Sequence, residues 1–281
     1  VASVIFMTLM REAVPPERMT SLFSRRSVAM HLALAGGALA FGYWLEYAPF
    51  PQGYQAMFLF AFAMAMLSQW HVHQIRPLPT LLAPLPSQKN AIPYGSPWRD
   101  PAFLRVAVTV GLSYVAFSAA LPVIPLWLVE NLGAKEGFVA LFSMVELLSA
   151  ASGAFMAAYF IRRLKHKPHI ALAMAGSGLG VLLIAFAPGL WFTLIGAGLM
   201  GACWAATDVG LLGLFAVRAP QHDAYSRAYS QLVAGGLFFG PLVTSGLAQS
   251  GLGLWWVLVL AALLRALAGA AAVIGKRRLT T

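Results

Sequence analysis

Seventeen of the nineteen Lys and Arg residues in this 281-residue chain lie in every second gap between its long apolar stretches. Lys135 is the one cation in an intervening gap, and Arg265 lies inside a stretch. Folding in water gives no reason to sort cations by alternate loops. Repeated passage through a bilayer does, because Lys and Arg are held on the cytoplasmic side while successive helices cross. Composition agrees. With 60% apolar and 10% charged residues, against roughly 25% charged in soluble domains, the chain has too little polar surface to coat a globule. Its mean hydropathy is +0.76. The net charge of +10 comes from short loop clusters and not from a basic stripe, which speaks against a nucleic-acid partner. Cys203 is the single cysteine, so no intrachain disulfide can form.

The expectation is an all-α, polytopic transmembrane helix bundle with eight complete spans and one partial one. The complete spans are read at about 27–45, 54–75, 102–129, 137–161, 169–187, 190–216, 226–248 and 253–275. The opening run VASVIFMTLM has ten residues, against the ~20 a helix needs to cross. It reads as the trailing end of a helix, and the chain as a piece of a longer protein whose other helices are partners of this one. A basic connection, Arg11 to Arg26, precedes the first complete span. A connection from Arg76 to Pro101 with seven prolines reads as a linker. The basic gaps, including Lys276–Arg278, are assigned to the cytoplasm. The protein is thus expected to be multi-pass in the cell membrane, with a cytoplasmic C-terminus.

The order of spans and loops resembles the major facilitator superfamily, whose two six-helix bundles are joined by a cytoplasmic loop. VPPERMTSLFSRRS (14–27) is similar to the family's connection after helix 4, and RAPQHDAYSRAYSQ (218–231) holds the equivalent place after helix 10. FIRRLKHKP (160–168) stands where the second half carries a copy of the helix 2–3 signature, with Arg162 replacing its acid and Lys165 its glycine. The resemblance implies an N-terminal remainder (1–75, the end of helix 4 and helices 5–6), a cytoplasmic linker (76–101) and a C-terminal bundle (102–281, helices 7–12). It implies a secondary active transporter, a permease moving a small molecule by alternating access, with protons as candidate coupling ion and efflux favoured. Arg162, Arg163 and Lys167 become a cytoplasmic gate loop. The competing reading is a transporter-like sensor or scaffold that no longer transports. ALAGGALAFGYW (33–44) has the glycines of the helix 5 signature of drug–proton antiporters but not its proline.

Three charges lie within spans: Glu146, Asp208 and Arg265. Each costs roughly 2.5–3.5 kcal/mol at a helix centre, so none should face lipid. Small residues accompany each on its helix face: Ser143, Ala150 and Gly153 with Glu146; Ala197, Gly201 and Ala205 with Asp208; Ala261, Ala262, Ala268, Gly269 and Ala272 with Arg265. Such faces pack against other helices. Glu146, partly out of water near mid-depth, is the first candidate for proton coupling or substrate binding. Asp208 is the second. Arg265 is read as one half of a structural ion pair, with Asp208 as partner. Thr109, Ser113, Tyr114 and Ser118 are candidate substrate contacts on successive turns, and Pro122 and Pro125 should break that helix. His71, His73, His166 and His169 read as interfacial, and His31 as a packing contact or proton relay. No metal-ligand spacing, cofactor motif or catalytic cluster is visible, so neither an enzyme nor a cofactor is expected.

Overall fold

A computed structural model describes residue 14 and residues 16–74, 96–218 and 223–274. The partial helix at 1–10, most of the proline-rich linker and the basic C-terminus Lys276–Arg278 lie outside the described residues. Among those described there is no strand. Nine α-helices follow in order: α1 (Pro16–Tyr47), α2 (Gln52–His73), α3 (Pro101–Ser118), α4 (Val123–Leu132), α5 (Glu136–Leu164), α6 (His166–Ala185), α7 (Leu190–Arg218), α8 (Asp223–Gln249) and α9 (Leu254–Ile274). A 3-10 turn, Pro97–Arg99, precedes α3.

Among the described residues, six segments are long and apolar enough to cross a membrane: 101–132, 137–164, 166–185, 190–218, 224–249 and 254–273. The first joins α3 and α4. α1 and α2 have spanning length, at 32 and 22 residues, but carry more polar side chains, Arg18, Arg25 and Arg26 in one and Gln69, His71 and His73 in the other. The structure corrects one boundary substantially. The expected basic connection is already helical from Pro16. A proline at the first helical position costs nothing, since its missing N–H would be unpaired there anyway.

α7 is the hub, packed on α5, α6, α1 and α3; α9 packs on α6 and α3, and α8 on α3. Among the described elements α2 touches α1 alone to any extent, and its side chains are almost all exposed. Close approach of backbones makes the α5–α7 seam. A Cβ on Gly153 would collide with the Ala202 carbonyl, and one on Gly201 with the Glu146 carbonyl. In lipid, where apolar burial drives little association, such contact supplies the packing attraction. Ser24 adds a cross-link by donating to the Ala154 carbonyl, joining α1 to α5.

Two apolar cores mark the two ends of the bundle. One gathers the starts of α1, α3, α6 and α8 with the ends of α7 and α9, through Phe23, Phe103, Ile170, Tyr225, Phe215 and Ala272. The other gathers α4 with the start of α9 and the end of α6, through Leu128, Leu258 and Ile184. The first end is the one that carries Arg18, Arg99, Arg105, Arg218 and Arg227. Alternate-loop sorting in sequence therefore becomes segregation to one end in space.

The break between α3 and α4 has a local cause. Pro122 has no N–H to return to the Ser118 carbonyl, which accepts instead from Leu121 N at 3.1 Å. Ala120 N tightens in the same way onto the Phe117 carbonyl at 3.3 Å. The Ala116 carbonyl is thereby left without its helical donor. Pro125 sits in the first turn of α4, where it is tolerated.

Candidate functional site

One stripe of α7 organises the site. Gly201, Trp204 and Asp208 stand at successive turns of one face. Seven residues separate its ends, about 10 Å along the axis.

At the inner end, Glu146 of α5 lies on Gly201, its Cγ 3.0 Å from where a Cβ would stand. Only a glycine leaves room for it. Glu146 is partly buried, and Arg265 of α9 is the charge that acts on it electrostatically.

At the outer end, the Tyr114 hydroxyl of α3 donates to Asp208 Oδ1 in a short hydrogen bond. Arg26 and His31 of α1 lie within electrostatic reach of the same carboxylate. His31 is itself held by its own helix, with Nδ1 donating to the Ser27 carbonyl at 2.7 Å. The Tyr229 hydroxyl of α8 is buried beside Tyr114 and Asp208, close enough to interact electrostatically, but without the geometry of a hydrogen bond.

Aromatic rings fill the space between the two acids. Trp204 stacks on Phe117 with centroids 3.7 Å apart and planes 5° from parallel. It meets Tyr114 edge-on at 5.2 Å. The Arg265 guanidinium stands 5.3 Å from the Phe117 ring, within cation–π range.

Arg265 is fully buried. Its Nε donates to the Ala116 carbonyl at 3.3 Å and Nη2 to the Phe117 carbonyl at 2.9 Å. Nη1 donates to Ser177 Oγ at 2.7 Å and to the Ser177 carbonyl at 3.3 Å. The expected pairing with Asp208 is therefore replaced: the hydrogen bonds go to neutral oxygens of α3 and α6, and the acid in electrostatic reach is Glu146. Asp208 has turned to Tyr114. The small-residue face that made room for Arg265 is as read, with Ala261, Ala262, Ala268 and Ala272 all buried.

The hydroxyls of α3 do not form one path. Thr109 donates back to the Arg105 carbonyl of its own helix at 3.0 Å. Ser113 Oγ is buried without a hydrogen-bond partner among the described residues. Ser118 donates to the Gly236 carbonyl of α8 at 2.7 Å. Tyr114 alone joins the acids. His169 also departs from its interfacial assignment: α6 begins at His166, so His169 is a turn inside, buried, with Nε2 donating to the Ala206 carbonyl at 2.9 Å.

Arg162 and Arg163 end α5, both exposed, with Arg163 4.6 Å from the Tyr159 ring centroid. Lys167 opens α6. Between them Lys165 has φ 65° and ψ 166°, a region that is essentially glycine's own.

Sequence reading missed Trp204, Tyr229 and Ser177. Trp204 was legible as the bulky residue on the Asp208 face. Ser177, a lone hydroxyl within a run of small and apolar residues, carried no signal beyond its depth. No group of three metal-ligating side chains lies together among the described residues.

The family model described as Major Facilitator Superfamily matches residues 1–224. No curated protein matches the chain.

Proposed function

The chain belongs to the major facilitator superfamily, and on that premise we propose a secondary transporter that moves a small molecule by alternating access. A multi-pass membrane transporter follows from the family and from the six apolar segments. The finer reading is ours. α1 and α2 belong to the N-terminal bundle, 76–101 is a cytoplasmic linker, and 102–281 form the C-terminal bundle. The basic end of the helices faces the cytoplasm of a cell. Protons are the coupling ion, and export is the favoured direction.

One observation carries this reading: Asp208 of α7 and Glu146 of α5, which packs on Gly201, stand at the two ends of one stripe of α7 with Trp204 between them, reached by groups from α1, α3 and α9. Ionisable side chains within spans are costly, and they persist where they pair or mark a transport pathway. Glu146 is assigned to proton coupling. Asp208, with Tyr114, is assigned to the substrate or to a second proton. Asp208 is the acid that groups of α1 and α3 address together, so it can sense movement of one against the other.

The test is uptake of radiolabelled cationic, zwitterionic and polyhydroxylated solutes into proteoliposomes under an imposed pH gradient. Gradient-driven flux that is lost in Glu146→Gln and Asp208→Asn supports the assignment. Unchanged coupling in both variants removes these sites. The second reading, a non-transporting sensor or scaffold, draws on Lys165 and Arg162, which depart from the helix 2–3 signature. Absence of flux for every solute class favours it.

A further inference from the structure

We propose that Arg265 is a positioning residue that carries the charge state of Glu146 to the break between α3 and α4. The proposal rests on the reading of Glu146 as a coupling site and adds the route by which that site moves the helix.

The break is held from three sides. The released Ala116 carbonyl and the Phe117 carbonyl, which also takes Ala120 N, both accept from Arg265 of α9. Ser118 at its edge donates to α8. Phe117 is stacked between Trp204 of α7 and the guanidinium. The last carbonyls of a helix need donors from elsewhere, and a guanidinium supplies five N–H groups in a planar fork. Arg265 uses that fork to bind α3 and α6 at once. Its charge also interacts with Glu146 of α5, which packs on Gly201, one turn from Trp204.

Arg265 gives its hydrogen bonds to neutral oxygens while the Glu146 carboxyl acts on it through charge alone. With Glu146 charged, the guanidinium is drawn toward α5 and its hold on the Ala116 and Phe117 carbonyls weakens. With Glu146 neutral, the fork stays on those carbonyls and the break is fixed. α4 then moves relative to α3 according to whether Glu146 carries a proton.

Other titratable groups pack nearby: Cys203 and Asp208 on α7, Tyr114 on α3, Tyr229 on α8, and His31 and Arg26 on α1. Of these, Tyr114, Tyr229, His31 and Arg26 act on Asp208, toward the basic end. A pH response arising from them survives loss of the Glu146 charge.

The test reads the break directly and needs no substrate. Leu121, 41% exposed in the break, is replaced by Cys in a Cys203→Ser background. Its maleimide labelling rate in proteoliposomes between pH 5.5 and 8.5 is divided at each pH by that of the same variant unfolded in SDS, because the reactive species is the thiolate and the intrinsic rate climbs with pH. This normalised rate should change by about fivefold, the lower range of coupling between two sites. Glu146→Gln should make it independent of pH. Arg265→Lys, which keeps the charge but loses the fork, should do the same, with no further effect in the double variant. Ser177→Ala, which leaves the arginine in place, should reduce the response and serves if Arg265→Lys does not fold. A full pH response in Arg265→Lys or Ser177→Ala, with none in Glu146→Gln, overturns the route through Arg265 and leaves Glu146 as the coupling site. A response unaffected by Glu146→Gln sinks the coupling assignment itself, and this proposal with it.

Discussion

Tyr114 and Asp208, 94 positions apart in the chain, share a hydrogen bond that ties α3 to α7 inside the bundle. An aspartate in a span has no water to solvate it, so its choice of partner shows what the surrounding helices are arranged to do. Here the partner is a neutral phenol, with Arg26 and His31 of α1 acting from further off. The carboxylate is held without being locked into an ion pair with Arg265.

Breaking that bond should have a modest energetic cost. Tyr114→Phe and Asp208→Asn, combined in a double-mutant cycle, should show a coupling of about 1 kcal/mol, within the range of interhelical hydrogen bonds in membranes. Thermal unfolding in detergent measures it. A coupling near zero would mean the phenol contributes packing alone.

Sidedness follows from the segregation of cations. Cysteines placed at Arg163 and Arg227, both exposed, should react with an impermeant maleimide from the cytoplasmic face. One placed at Lys135, exposed between α4 and α5, should react from the other face. Labelling of Arg163→Cys and Lys135→Cys from the same side is incompatible with the topology.

The α5–α7 seam depends on missing side chains. Gly153→Val drives a branched side chain into the Ala202 backbone and should destabilise the protein by about 1–3 kcal/mol, the usual range for overpacking. Gly235→Ala has nothing within 4 Å of its new Cβ and should hold or raise the melting temperature, Ala being the better helix former by up to about 1 kcal/mol. Equal effects from the two substitutions would argue against the close contact.

Lys165 bears backbone strain that a glycine would not. Lys165→Gly should raise thermal stability by about 1 kcal/mol, the lower end of the cost of such a conformation. Scanning fluorimetry of the purified protein in detergent decides this. A fall in melting temperature would show that the lysine side chain contributes more than its backbone costs.

The all-α bundle and the inward faces were legible because each follows from one-dimensional rules. Apolar length marks six of the eight expected spans among the described residues, and small residues beside Glu146, Asp208 and Arg265 decide facing. Partner choice was not legible. Whether Arg265 meets Asp208, Glu146 or bare carbonyls depends on which helices pack on α9, and no local pattern encodes that. The same holds for the α3 hydroxyls. Thr109 and Ser118 look alike in sequence, yet one bonds its own helix and the other α8. Pro122 announced a break, but the freed Ala116 carbonyl that gives Arg265 its task emerges only once α9 is in place. The start of α1 was misjudged because arginines read as loop, although an exposed helical face solvates them equally well.

The 32 residues of α1 extend about 48 Å, while the hydrocarbon layer is about 30 Å thick. The continuous helix therefore exceeds what a crossing needs by roughly 18 Å, and its basic end carries Arg18, with Thr20 and His166 both beside Gly213. That length is not free: Met19 and Phe23 within it are buried in the core shared with α3, α6, α7 and α8. Any change in the tilt of α1 is therefore carried straight to the basic ends of those four helices.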